Sequence, residues 1–244
     1  IYRNMELKEK QKSVEDKVLK NFPESRASEW TLVSRYRDFE DEFGKDGFKD
    51  PEKLNQYRKM LKDFIKRPRH YNQGLLGDTY RDLFYSIKDD LKVSGDELLE
   101  AVNGMVKFDK VNPHTVYAGG AIALAERKVH FREAERIAKS GISEGQKKIE
   151  SQRSIYKTEE DYQKALNWMT GLMYDALGWI YFQEGRFEEA EKELIQAYNL
   201  DPNSLNNLYH IGKLYEAKGN MEKAEIYYIK GMSCLLYTSD AADE

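Results

Sequence analysis

Paired acids such as Glu159 with Glu160 and Glu188 with Glu189 are side chains of this 244-residue chain that by type could serve as general acid and base. A helix turns about 100° per residue, so sequence neighbours point apart, and these face solvent. Four histidines, His70, His114, His130 and His210, could ligate a metal, but none has a second His or Cys at ligand spacing. Gly119 and Gly120 lack the lysine and the strand of a phosphate loop and read as helix packing. Lys66, Arg67, Pro68, Arg69 and His70 form a basic cluster suited to phosphate or an acidic partner. It closes a helix, however, where cations complement the dipole. With one cysteine, Cys234, and no H-E-x-x-H or G-x-S-x-G, the sequence predicts no catalytic residue, no metal site, no cofactor and no enzyme activity.

What remains is a pattern of helices. Between Gly171 and Ser204, Tyr174, Leu177, Gly178 and Tyr181 share one helix face, and Ala190, Leu194 and Ala197 share the next. Glu184 and Gly185 supply the turn. Gly178 and Ala190 are small enough for close antiparallel approach, and Asp201 with Pro202 ends the pair. Starting at Leu205 the register returns as Leu208, Ile211, Gly212 and Tyr215, then Ala224, Tyr228 and Gly231, with Gly219 and Asn220 in the turn. These residues resemble the tetratricopeptide repeat, whose signature spans about 34 residues. The resemblance implies an all-α solenoid of antiparallel helix pairs, C-terminally truncated, serving as a protein-interaction scaffold.

Composition agrees with a helical globular chain: 34% of residues are charged, 40% are hydrophobic and only five are proline. No run of about 18 apolar residues exists to span a membrane. The chain opens on Ile1 rather than Met, so the sequence predicts a fragment of a larger protein, from either the cytoplasm or the periplasm. Its last eleven residues, CLLYTSDAADE, break the repeat and resemble a translated transposase adapter of sequencing libraries; residues 234–244 are therefore expected to be non-native. Without the three acids of that tail, 39 basic side chains face 40 acidic ones, which argues against nucleic acid as a partner.

In chain order, residues 1–112 read as a helical region of degenerate pairs. Residues 2–20 suggest an exposed helix or a frayed end. Glu24 to Phe43 forms a helix with Trp30, Val33, Tyr36 (or Arg37) and Phe39 inward, closed by Gly44 and Gly47. Asp50 and Pro51 start another, carrying Leu54, Tyr57, Leu61, Phe64 and Ile65. Leu75 to Leu91 follows, with Tyr80, Phe84 (or Leu83) and Ile87 inward. Ser94 and Glu97 then form a capping box before Leu98, Ala101, Met105 and Phe108, ended by Asn112 and Pro113. Residues 113–142 read as a degenerate repeat carrying Ala118, Ala121, Ile122 and Ala125, then Phe131, Ala134, Ile137 and Ala138. Residues 143–170 form a helical insertion or bridge, with helix starts at Ser143 and Thr158 and a bend near Lys157. Residues 171–204 and 205–233 are the two repeats.

Carried over from the family, the positions that contact ligand are Leu172, Asp175, Trp179, Phe182 and Gln183, then Asn206, Tyr209, Lys213, Glu216 and Ala217. They imply a groove for a peptide or helix from a protein partner. Asp175 and Trp179 stand where a carboxylate clamp needs Lys and Asn, so capture of a C-terminal carboxylate is not expected. Trp179 and Phe182 read equally as core. Without a polar capping helix, the face bearing Ile226, Tyr227 and Ile229 is expected to drive self-association. An alternative rests on KVLKNFPESRASEW and ALAERKVHFREAERIAKSGI, loosely similar to helical N-terminal regions of bacterial proteins with a thioredoxin-like C-terminal domain. In that case the chain is the scaffold of a thiol-disulfide oxidoreductase. A self-assembling structural subunit is a third option.

Overall fold

The computed structural model describes residues 2–44, 48–68, 70–109 and 113–240. Gly47, Arg69, Asn112 and the end of the tail lie outside them. Eleven α-helices and no strand stand among the described residues, and the fold is all-α, built of antiparallel helix pairs. The chain forms two compact units, residues 1–90 with 103–110 and residues 91–102 with 111–244.

The first unit holds α1 (Tyr2–Asn21), α2 (Arg26–Phe43), α3 (Pro51–Ile65), α4 (Gln73–Ile87) and the end of α5 (Gly95–Phe108). Ser25, Asp50 and Asn72 cap α2, α3 and α4 by accepting amides of the first turn. Val33, Tyr36, Tyr57, Leu61, Phe64, Leu83, Phe84 and Ile87 form the core, where Tyr36 meets Tyr57 and Phe64 edge-on at 6.4 and 6.2 Å. Trp30, expected inward, is instead 47% exposed. The reason is polar: α2 turns Ser28 and Glu29 inward with Val33 and Tyr36, and Trp30 lies one step round the helix. Buried Glu29 accepts the backbone amides of Tyr71 (3.0 Å) and Asn72 (3.4 Å). Leu91, expected at the end of a helix, lies past α4 and is exposed.

The second unit contains the start of α5, then a π-helical turn (His114–Gly119) running into α6 (Gly120–Glu126), followed by α7 (Phe131–Ser151), α8 (Glu159–Gln183), α9 (Phe187–Leu200), α10 (Leu205–Ala217) and α11 (Met221–Asp240). Ser94 caps α5 through the Glu97 amide at 3.2 Å, and Thr158 caps α8 through that of Asp161 at 3.0 Å. Ser143 starts nothing: α7 runs unbroken past it, and its hydroxyl donates back to the Ser140 carbonyl at 3.1 Å. Gly120 sits against Val102, whereas a Cβ at Gly119 would meet open space.

Three turns in this unit end the same way. Gly185 and Gly219 adopt φ of +80° and +76°; the amides of Arg186 and Asn220 reach back five residues to Tyr181 and Tyr215. Lys128 holds the same place at φ +53°, with the Val129 amide on Leu124. The α6–α7 turn thus closes like the other two, at the strain of a side chain in the left-handed region. Beyond the turns, Gly178 packs where a Cβ would stand 2.5 Å from Leu194 Cγ, and Gly212 where it would meet the Tyr228 ring. Of the side chains expected inward, Leu177, Tyr181, Ala190, Leu194, Ala197, Leu208, Ile211, Tyr215 and Ala224 are buried, whereas Tyr174 and Tyr228 are half-buried.

Candidate functional site

The first helices of the two repeats, α8 and α10, bring together residues one repeat apart. Asp175 and Tyr209, Trp179 and Lys213, and Phe182 and Glu216 are equivalent pairs. Stacking the helices places each beside its neighbours in the next repeat.

The inner layer is polar and closed. Asp175 is 3% exposed; its carboxylate accepts Asn207 Nδ2 at 2.9 Å and lies 2.9 and 3.0 Å from His210 Nδ1. Asn207 also donates to the Leu194 carbonyl at 3.1 Å, tying α10 to both α8 and α9. Neither Asn207 nor His210 figures among the sequence-predicted site residues. The signal was available: His210 lies 35 residues after Asp175 and Asn207 lies 32 after it, each within two of one repeat, which places them side by side once the repeats stack.

Above this layer runs a stack of rings. His210 lies flat on Trp179 at 4.0 Å, and Trp179 lies flat on Phe182 at 4.8 Å. Tyr209 stands 6.4 Å from Trp179 and 6.3 Å from Tyr228. Trp179 is 6% exposed, lies beneath the face, and its indole N–H has no hydrogen-bond partner among the described residues. Tyr209, 52% exposed, is its accessible ring. At the edge, Lys213 Nζ donates to Glu216 at 3.0 Å and the Tyr228 hydroxyl donates to the same carboxylate at 2.8 Å. Lys213 and then Tyr228 hold the Glu216 carboxyl below its ordinary range, while Glu216 raises Lys213. Leu172, Phe182 and Gln183 are half-buried, and Asn206 and Ala217 are exposed. The structure thus groups Phe182, Tyr209, Lys213 and Glu216 around a floor formed by Trp179 and Asp175.

The other chemically suggestive residues are dispersed. No group of three or more His, Cys, Asp or Glu is placed to hold a metal among the described residues. His70 packs against Phe64, His114 against Trp168, and His130 lies 2.9 Å from Asp96. Arg67 of the basic cluster turns back to the Ser25 carbonyl and the Ser28 hydroxyl, at 3.3 and 3.0 Å. Glu159, Glu160, Glu188 and Glu189 pair with Arg153, Lys164, Lys218 and Arg186. No helix among the described residues is long and apolar enough to cross a membrane.

Residues 178–219 match the family model described as TPR repeat. The fold is tetratricopeptide-repeat-like. The matched stretch runs from the second half of α8 through α10 and contains most of the aromatic face. The uncharacterized protein ycf37 of Pyropia yezoensis is 26% identical over 132 residues, 54% of this chain and 66% of that protein. A TPR repeat-containing protein of Methanocaldococcus jannaschii is 29% identical over 131 residues, 53% of this chain and 18% of that protein. The match therefore spans less than two thirds of either relative. Among solved structures, a crystal structure of MamA aligns with a TM-score of 0.46 at 16% identity, over 78% of this chain and 92% of that one. MamA 41-end from Desulfovibrio magneticus RS-1 gives 0.43 at 13%, over 84% and 96%. The described residues, with no strand and the single cysteine Cys234, hold no thioredoxin-like domain.

Proposed function

We propose that this chain is a non-catalytic scaffold that binds a peptide or helix of a protein partner on the α8–α10 face. Leu172, Phe182, Gln183, Tyr209, Lys213 and Glu216 make the contacts, while Asp175 and Trp179 hold the two helices in register beneath them. One observation carries the reading: an exposed tyrosine, 52% accessible, sits at the end of a rigid ring stack beside a Lys–Glu pair. A rigid aromatic ring offers contact area at low entropic cost, and the flanking charges add orientation.

Peptides selected from a random display library on the full chain provide the test. Binding of the selected peptides is expected to fall at least tenfold in Tyr209→Ala and to weaken in Lys213→Glu, with unchanged urea midpoints. Peptides that bind both variants as they bind the unaltered chain would place the binding face elsewhere.

A further inference from the structure

The contact between Asp175 and His210 sets the chemistry of one atom that reaches the α8–α10 face. An ionised carboxylate accepts hydrogen bonds and cannot donate them, so His210 Nδ1, 2.9 and 3.0 Å from the two Asp175 oxygens, carries the proton. In the neutral ring Nε2 then keeps a lone pair. The surroundings fix where that lone pair stands. His210 lies flat on Trp179 at 4.0 Å, which holds the plane of its ring. α9 closes the far side of the seam between α8 and α10, where Asn207 meets the Leu194 carbonyl. Nε2 takes no hydrogen bond from the described residues, yet it is not enclosed as the Trp179 indole nitrogen and Asn207 Oδ1 are. The open edge of His210 therefore meets solvent on the face itself, beside Tyr209, whose ring centre is 5.9 Å from that of His210.

The charge behind this atom is unanswered. Asp175 is buried, and no Lys or Arg pairs with it among the described residues. Lys213, one turn further along α10, is paired with Glu216 at 3.0 Å, and those two charges cancel. A carboxylate behind an imidazole strengthens the opposite nitrogen as an acceptor. A group seated here needs N–H donors and positive charge, next to an accessible aromatic ring. Arginine brings both and stacks on aromatic planes. A carboxylate or phosphate would instead meet a lone pair with a buried negative charge behind it.

We infer that the α8–α10 face recognises an arginine of its peptide partner, the guanidinium donating to His210 Nε2 and lying against the Tyr209 ring, with the Asp175 carboxylate as counter-charge behind the imidazole. The inference rests on the peptide-binding reading of this face and names the side chain that the face selects. His210 is the specificity-determining contact. Asp175, sealed beneath it, is a positioning residue that acts through His210. Lys213 meets a different position of the same peptide, so its substitution and those at Asp175 and His210 report separate contacts.

The probes are the peptides selected from a random display library on the full chain, and the most enriched of them synthesised twice, with arginine and with citrulline, which keeps the length and N–H groups of arginine but not its charge. Arginine is expected at a shared position of the enriched peptides. Citrulline there should weaken binding to the unaltered chain roughly tenfold by fluorescence anisotropy, a measurement that needs no variant of the protein. His210→Phe, which keeps the flat ring and removes Nε2, should weaken the arginine peptide by a similar factor. On the Asp175→Asn chain the difference between the two peptides should shrink to roughly twofold, with urea midpoints verifying that both variants fold. The inference is overturned by enriched peptides without arginine, by equal binding of the two peptides to the unaltered chain, by an undiminished difference on the Asp175→Asn chain, or by a second copy of the chain occupying the face and excluding the peptides. Peptides that fail these tests but lose binding with Tyr209→Ala overturn the arginine alone; peptides indifferent to Tyr209→Ala overturn the reading beneath it.

Discussion

Each of the two units is held together internally by its own kind of contact. In the second, the same joint returns: a turn closed on a left-handed residue, a small residue under a large one, a tyrosine on a glutamate. In the first, the long-range polar contacts occur once each. Glu29 takes the amides of Tyr71 and Asn72, buried Arg58 pairs with Asp90 at 2.7 Å, and Arg81 reaches Asp109 at 2.5 Å. A repeated contact can be small because each repeat supplies another. A contact that occurs once must be strong, because nothing stands in for it.

The largest expected effect is therefore in the first unit. Glu29→Ala strands two backbone amides in a buried place and is expected to cost about 3 kcal/mol in urea unfolding. A neutral result would erase the contrast between the units.

Asp82 sharpens the contrast through pH. Burial, and next the charge of Glu40, push its carboxyl from 3.8 up to about 6, against the opposing pull of Arg81 and Arg37. An acid with a raised folded-state pKa stabilises the fold while protonated, so its contribution is full below about pH 4 and is lost as pH rises through about 6. Asp82→Asn should flatten the stability profile across that window and stabilise the protein at pH 7 by about 2–3 kcal/mol. Unchanged pH dependence in the variant would remove Asp82 from this account.

Within the repeats, space decides the sign. Gly178→Ala puts a methyl 2.5 Å from Leu194 and is expected to cost about 2 kcal/mol. Gly171→Ala, with nothing nearer than 3.5 Å, should instead gain about 0.5–1 kcal/mol from helix propensity. Paired thermal melts test the opposite signs. The last test is of recurrence itself. Tyr181 donates to Glu135 at 3.0 Å beside Arg186, and Tyr215 to Glu191 at 2.8 Å beside Lys218. Tyr181→Phe and Tyr215→Phe should each cost about 1 kcal/mol, and nearly the same amount, if the two joints are equivalent. Unequal losses would mean that Arg186 and Lys218 brace them differently.

The sequence by itself determined the repeats. Gly178, Gly185, Ala190 and their counterparts 34 residues on are size and turn requirements, visible wherever the period is kept. It also placed Tyr209, Lys213 and Glu216 on the face they occupy, because position within a repeat is a matter of counting. Asp50, Thr158 and Ser94 were legible as helix caps for a related reason, since a cap acts within three residues of itself. Ser143 shows the limit of that rule: the same residue type inside a helix can bond backwards and start nothing.

Only the tertiary structure decided which way α2 turns, because Glu29 is drawn inward by amides 42 and 43 residues away and Trp30 is thereby left in solvent. It also decided that Trp179 is buried. Phe182 three residues on and His210 of α10 both stack on its ring. Periodicity reports which residues share a face. Whether a neighbour covers that face depends on a packing partner distant in sequence, and local spacing carries no record of it.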